Sequence, residues 1–225
     1  MTQSTPPTDN HHFQVYPLAT RLLGDTQHYS VESFGRHNEA EGDRFGYFGN
    51  TLATPKTIPN RLILRRRNLP TLPNIPPPWP VATTDPLRSQ PYIFPPDVIV
   101  LLDLGKPGVS GHASTAHGGV IASSFDETMH KAIEAHVPAT GQAEKPYTAQ
   151  LDIRYKRPVR VPGLLVIRAK VVARVGRKFW VRAHASQELE TGEEILTTDA
   201  MALFLMVSPS SQFWEPLCEK EEIKL

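Results

Sequence analysis

The chain has 225 residues, 40% of them hydrophobic, which fits one globular domain with a substantial extension. Lys and Arg number 24 against 23 Asp and Glu, so net charge gives no electrostatic case for a nucleic-acid partner. The single cysteine, Cys218, excludes an internal disulfide and any cysteine-based metal cluster. Because no run of about 18 apolar residues occurs, the sequence predicts no membrane span.

The first part of the chain is mixed and polar, and a proline-rich segment follows it. Residues 1–68 are predicted to be a partly ordered N-terminal extension containing one short strand near NRLILRRRN. Residues 69–96 read LPTLPNIPPPWPVATTDPLRSQPYIFPP, and proline fixes φ and lacks an amide donor, so this segment is predicted to be an extended connector. It is either a ligand for a proline-binding module or, as we favour, a wrapping connector that lays Trp79, Tyr92 and Phe94 on the domain surface.

Residues 97–208 carry regular signals of secondary structure, and residues 209–225 are predicted to be a C-terminal tail. A strand is predicted over Val98–Leu104. A helix is predicted over Gly118–His136, because Ile121, Phe125, Met129 and Ile133 recur at every fourth position and form one apolar stripe.

Four further strands are predicted after this helix from alternating apolar and polar residues, at 147–157, 165–174, 179–185 and 194–207. The segments VGR and ETG predict the turns that separate the last three. The alternation indicates an antiparallel sheet with one apolar face and one solvent-exposed face. The predicted class is therefore α+β, with one helix covering one side of a sheet.

The stretch HASTAHGGVIASSFDETM places two glycines at the predicted start of this helix. The first amides of a helix have no partner within it, and the helix dipole adds partial positive charge there. Without a Cβ at Gly118 and Gly119, a ligand oxygen can approach those amides and be stabilised as an oxyanion. The alternative is that the glycines serve close packing, and that Asp126 and Glu127 are surface acids.

Asp126 lies seven residues after Gly119, on nearly the same helix face but roughly 10 Å along the axis. One helix therefore cannot bring its own start and its own Asp126 together. Two antiparallel helices from two subunits could do so, which predicts a homodimer with two sites beside its two-fold axis.

Four segments together resemble one family: TAHGGVIASSFDETM, YTAQLDIRYKRPV, VVARVGRKFWVRAHA and the long last strand. In combination they resemble the hotdog-fold thioesterase superfamily, in particular PaaI-like and THEM-like acyl-coenzyme A thioesterases of fungal type. The resemblance covers residues 98–207. It implies a hotdog fold, in which an antiparallel sheet wraps around one long central helix. It also implies hydrolysis of a thioester that joins an acyl or polyketide chain to coenzyme A or to a carrier protein.

The resemblance also implies roles for particular residues. Asp126 matches the catalytic carboxylate, which acts as general base or as nucleophile, and the Gly118 amide matches the oxyanion hole, with Gly119 beside it. His117 matches the histidine that helps to place the thioester, and Thr148 matches a hydroxyl that orients water. Arg177 and Lys178 match a basic turn that meets coenzyme A phosphates.

This sequence departs from the family pattern before His117. Many relatives carry an asparagine six or seven residues earlier, where this chain has Gly111 and Ser110. Ser110 or His112 is expected to take over its part in substrate binding, unless hydrolysis is slow.

Other functions stay open at this stage. A hotdog enzyme recruited to a biosynthetic pathway could catalyse product release, cyclisation or isomerisation, and a non-catalytic dimer could only bind acyl ligands. A nucleic-acid hypothesis rests on a row of basic residues that is more typical of a solvated sheet face, namely Arg154, Lys156, Arg168, Lys170, Arg174 and Arg182.

No cofactor and no metal are expected, since the nine histidines lack a spacing typical of metal ligands. The expected partners are the thioester substrate and a second copy of the chain, as a dimer or a dimer of dimers. The start of the chain lacks signal and transit patterns, which favours the cytoplasm. The C-terminal Ile223-Lys224-Leu225 resembles a peroxisomal tripeptide apart from its isoleucine and gives the alternative location.

Overall fold

The computed structural model describes residues 11–33, 46–79, 93–137 and 145–208, so the predicted tail 209–225 lies outside the described residues. A 3₁₀ turn (His11–Val15) and a π-helical turn (Tyr47–Thr51) accompany two α-helices, α1 (Pro17–Gly24) and α2 (Gly118–His136). The strands are β1 (Tyr29–Ser33), β2 (Asn60–Arg66), β3 (Val98–Leu104), β4 (Ser110–His112), β5 (Thr115–Ala116), β6 (Lys145–Tyr155), β7 (Gly163–Val175), β8 (Lys178–Glu188) and β9 (Glu194–Val207). None of the helices in these ranges has the length and hydropathy needed to cross a bilayer.

Seven strands form one sheet in the order β1-β2-β3-β7-β8-β9-β6, and every neighbouring pair is antiparallel. Strands β4 and β5 form a small separate hairpin just before α2. Strand β6 is an edge of the large sheet, and α2 lies against the sheet between its two edges.

Helix α2 is held on the sheet by its apolar stripe. Ile121, Phe125, Met129 and Ile133 are each at most 1% exposed and belong to the main core. Opposite them lie inward-facing residues of the central strands, such as Phe179 and Phe204. The helix has the bounds that its periodicity predicted, and the predicted α+β class with a sheet around a central helix is confirmed.

The outer face of the sheet is covered over β1, β2, β3 and β7, which differs from the expected wet face. Phe13 and Leu18 of the N-terminal segment pack with Leu64, Leu101 and Val166 in a second buried cluster. Strand β3 carries the signal for this, because VIVLLDL does not alternate and all seven residues are buried. Continuous apolar strands are typical of sheets covered on both faces.

On the rest of the outer face, ion pairs and residues of the connector cover part of the sheet. Arg168 and Arg182, each 5% exposed, pair with Glu194 at 2.5 Å and Asp199 at 2.6 Å. The row of basic residues is therefore not an open cationic surface, because two of its members are buried and neutralised. Trp79 packs beside Trp180, and the ring centroid of Phe94 lies 5.2 Å from that of His184. Tyr92 lies outside the described residues.

Candidate active site

Helix α2 begins at its two glycines and is capped by the preceding histidine. His117 has an extended backbone, and its Nδ1 accepts a hydrogen bond of 2.9 Å from the N–H of Gly119. This nitrogen is unprotonated, so the neutral ring carries its proton on Nε2. The Gly119 amide is thus occupied, and the Gly118 amide has no acceptor among the described residues. Of the two amides expected to receive a ligand oxygen, Gly118 is the available one.

A steric limit excludes an asparagine at Gly111, one of the two positions where relatives carry it. A Cβ added to Gly111 would lie 2.9 Å from the Cα of His117, a distance that real Cβ atoms essentially never show. No side chain therefore fits at Gly111 while His117 keeps its capping position. Ser110 Oγ is buried without a hydrogen-bond partner among the described atoms, and His112 is exposed on β4.

The structure joins the predicted carboxylate to the predicted hydroxyl. Thr148 Oγ1 donates to Asp126 Oδ1 at 2.5 Å. The pairing of β6 with β9 shifts between Thr148 and Gln150, because Thr148 lies opposite Phe204 and Gln150 opposite Leu203. This irregularity turns Thr148 to the helix-facing side, where regular alternation would have pointed it outward.

The neighbouring acid has a different environment, which supports the choice of Asp126. Glu127 Oε1 lies 3.6 Å from Nζ of Lys131, one helical turn further along α2. Lys131 also donates to Glu134 at 2.9 Å. Glu127 therefore belongs to an ion-pair cluster on the helix, whereas Asp126 faces the edge strand.

The candidate residues form two groups at different places along α2. Ser110, His112, His117, Gly118 and Gly119 lie at the start of the helix, where His117 N–H also donates to the carbonyl of Val109. Asp126 lies eight residues after Gly118, about 12 Å along the helix axis, and Thr148 of β6 lies beside it. Within one protomer, the carboxylate and the free amide therefore cannot act on one small reacting group.

The basic turn belongs to the second group. Arg177 and Lys178 are exposed in the β7–β8 turn. The next residue, Phe179, is opposite Phe204 on β9, and Phe204 in turn is opposite Thr148 on β6. Since adjacent strands are about 4.8 Å apart, the turn lies roughly 10 Å from Thr148 across the sheet.

Residues 113–190, which contain α2 and β6 to β8, match the model of the thioesterase superfamily. The match covers 78 of the 225 residues, from position 113 to position 190. For this part of the chain, the match confirms the predicted resemblance to the thioesterase superfamily, a family of thioester hydrolases.

Many solved structures are similar to about half of the chain, among them the following three. One is a protein from Bacillus halodurans with CoA, 22% identical over 48% of this chain and 66% of that chain, with a TM-score of 0.42. Another is a hypothetical thioesterase with coenzyme A from Streptococcus pneumoniae. It is 15% identical over 49% of this chain and 81% of that chain, with a TM-score of 0.41. The E. coli PaaI protein from the phenylacetic acid degradation operon is 13% identical over 49% of this chain and 72% of that chain, with a TM-score of 0.41.

Two contacts of helix α2 have no clear sequence signal. Tyr155 Oη donates to the carbonyl of Gly118 at 2.8 Å, at the start of α2. At the other end, His136 Nε2 lies 2.8 Å from Oδ2 of the buried Asp97. Asp97 precedes β3, and so these two contacts fix both ends of α2 to the strands around it. Within the described ranges, no three His, Cys, Asp or Glu side chains are grouped so as to hold a metal ion.

The ion-pair cluster on α2 predicts a pH-dependent contribution to stability. Burial alone would raise the pKa of Glu134, but hydrogen bonds and charge from His130 and Lys131 outweigh it and lower the pKa from 4.5 to about 2. A folded pKa below the unfolded one stabilises the fold above pH 4.5, and this contribution is lost as the pH falls toward 2. Glu134→Gln should lower the free energy of unfolding at pH 7, and its difference from the parent should shrink between pH 5 and pH 3.

Urea denaturation at fixed protein concentration measures this difference, with Glu193→Gln in the exposed β8–β9 turn as the control. A Glu134→Gln deficit that stays constant over this pH range would contradict the prediction.

Proposed function

We propose that the protein hydrolyses an acyl thioester at a site shared by two protomers. Asp126 and Thr148 of one protomer and the Gly118 amide of the other form this site. The observation that carries the proposal is the contact of Asp126 with Thr148 on the edge strand, together with the unused amide of Gly118.

The exposed surface around this contact supports a shared site. Strand β6 is an edge of the sheet that the described residues form, and Tyr147 and Tyr155 on it are 42% and 54% exposed. An edge strand with exposed aromatic side chains is a ready surface for another chain. A second copy packed with its α2 antiparallel would bring its own Gly118 close to this Asp126.

The chemistry requires few groups, because a thioester carbonyl is already activated toward attack. In this proposal the Asp126 carboxylate removes a proton from water, and Thr148 holds the carboxylate or the water in position. The new C–O bond places negative charge on the carbonyl oxygen, which the Gly118 N–H stabilises. The C–S bond then breaks, and the departing thiolate takes the proton from Asp126.

Coenzyme A and carrier proteins both present a thioester at the end of a pantetheine arm, and the Arg177–Lys178 turn favours coenzyme A. Its two exposed cations, roughly 10 Å from Thr148 across the sheet, suit the phosphates of a nucleotide end. The residues that line the acyl chain come from both protomers in this proposal.

Release of free thiol from a panel of acyl-coenzyme A esters, short to long and aromatic, tests the function. Turnover of at least one ester is expected, and the same acyl group on pantetheine alone should show a higher KM with little change in kcat. Calorimetric binding of an ester without turnover would identify an acyl-ligand-binding dimer instead. Equal KM values on the two carriers would contradict the role of Arg177 and Lys178.

A further inference from the structure

The first turn of α2 is held by two side chains from outside the helix. His117 Nδ1 receives the N–H of Gly119 at 2.9 Å, and Tyr155 Oη donates to the carbonyl of Gly118 at 2.8 Å. The two bonds grip the Gly118–Gly119 peptide group from opposite sides, because its carbonyl and its N–H point in opposite directions. This matters because two successive glycines are the most permissive start that a helix can have.

The tyrosine ring also lies against Gly118. A Cβ added to this glycine would be 3.4 Å from Oη, 3.5 Å from Cζ and 3.8 Å from Cε1 of Tyr155. The space that a side chain at position 118 would fill is therefore bounded by the phenol. Burial raises the pKa of Tyr155 above its ordinary value, so the hydroxyl keeps its proton at neutral pH and acts as a donor.

Tyr155 connects the edge strand to the proposed oxyanion hole. It is the last residue of β6, the strand that also supplies Thr148, so both hydroxyl contacts of this strand reach α2. An oxyanion hole is effective only when its donor is fixed before the charge develops. The Gly118 N–H belongs to the preceding peptide group, whose carbonyl on His117 accepts a hydrogen bond of 3.0 Å from the N–H of Val120. The bond from Tyr155 holds the following peptide group and so restricts the φ and ψ rotations of Gly118 that join the two groups.

We propose that Tyr155 is a positioning residue, whose hydrogen bond to the Gly118 carbonyl holds the glycine turn so that the Gly118 N–H points at the thioester oxygen. This inference rests on the proposed function for its catalytic part. Tyr155 does not touch the reacting atoms and acts only through the backbone of the helix start.

Tyr155→Phe keeps the ring and removes the hydroxyl. We expect kcat for the best ester of the panel to fall about tenfold, since the donor is preserved but less well aimed. KM should stay within about twofold, and the melting temperature within about 2 °C, because one partly exposed hydrogen bond is lost. Tyr47→Phe is the matched control, because Tyr47 is 50% exposed and far from α2 in the sequence.

A second readout does not depend on activity. Backbone ¹⁵N order parameters of Gly118 and Gly119 should be near 0.85 in the parent and fall toward about 0.6 in Tyr155→Phe, but not in Tyr47→Phe. Unchanged order parameters would overturn the positioning role even if kcat fell. A mobile turn with full kcat would show that the contact is structural only.

The two proposals fail in different ways. A parent enzyme that cleaves no thioester overturns the proposed function and the catalytic part of this inference. An active parent with an equally active and rigid Tyr155→Phe variant overturns only the role of Tyr155.

Discussion

Asp126→Asn is expected to lower kcat by about a hundredfold or more, because a positioned general base contributes 10²–10⁴-fold to hydrolysis. The substitution keeps the shape of the side chain, and its amide oxygen can still accept the hydrogen bond from Thr148. KM and the melting temperature should therefore change little. Thiol release under saturating substrate measures the loss.

The adjacent acid provides the control for this prediction. Glu127→Gln removes a charge one residue away, from a side chain that pairs with Lys131 instead of Thr148. We expect its kcat to remain within about twofold of the parent, as for surface changes that leave a site intact. An Asp126→Asn variant as active as the parent, or a Glu127→Gln variant as impaired as Asp126→Asn, would show that the wrong carboxylate has been assigned.

Gly118→Pro is expected to lower kcat by about 10²–10³-fold, the cost of losing one oxyanion-hole donor. Proline has no N–H, yet it is well suited to the first position of a helix, which is where Gly118 lies. The preceding His117 has ψ of 133°, in the range that a residue before proline prefers. The variant thus deletes the donor while the helix start is retained.

Gly118→Ala is its matched control, because it adds a Cβ at the same place but keeps the N–H. The added methyl approaches Tyr155 Oη at 3.4 Å, a tight contact that a small shift of the phenol relieves. Circular dichroism and the melting temperature establish that both variants fold. Equal activity of Gly118→Pro and Gly118→Ala would exclude the Gly118 amide as the oxyanion donor.

Much of the central domain follows from periodicity. Helix α2 and strands β3 and β9 have the predicted bounds, because their apolar patterns are long and end at glycines, prolines or polar turns. The turns at Gly176 and Gly192 were predictable because glycine readily adopts positive φ, and both glycines have positive φ in the structure. The covering of the outer face was not predicted, because residues such as Phe13 and Leu18 are far in the sequence from the strands on which they pack.

The candidate site was predictable in its residues but not in its geometry. The family resemblance predicted Asp126 and Thr148 as site residues. Their contact depends on a register shift in β6, which no local sequence pattern predicts. The occupation of the Gly119 amide by His117 needs atomic positions, as does the steric limit at Gly111. The alternation of Leu151, Ile153 and Tyr155 predicts an inward-facing Tyr155, but it does not predict the hydrogen bond from its hydroxyl to the Gly118 carbonyl.

The central claim, a site shared between protomers, is tested most directly by a mixed dimer of Asp126→Asn and Gly118→Pro chains. The two chains carry different affinity tags, and only dimers with both tags are assayed. In a shared arrangement one of the two sites receives both substitutions and the other receives neither, so the mixed dimer should regain about half of the parental kcat. If each site used Asp126 and Gly118 of a single chain, both sites of the mixed dimer would stay impaired. A mixed dimer as inactive as the Asp126→Asn and Gly118→Pro homodimers would therefore contradict a shared site.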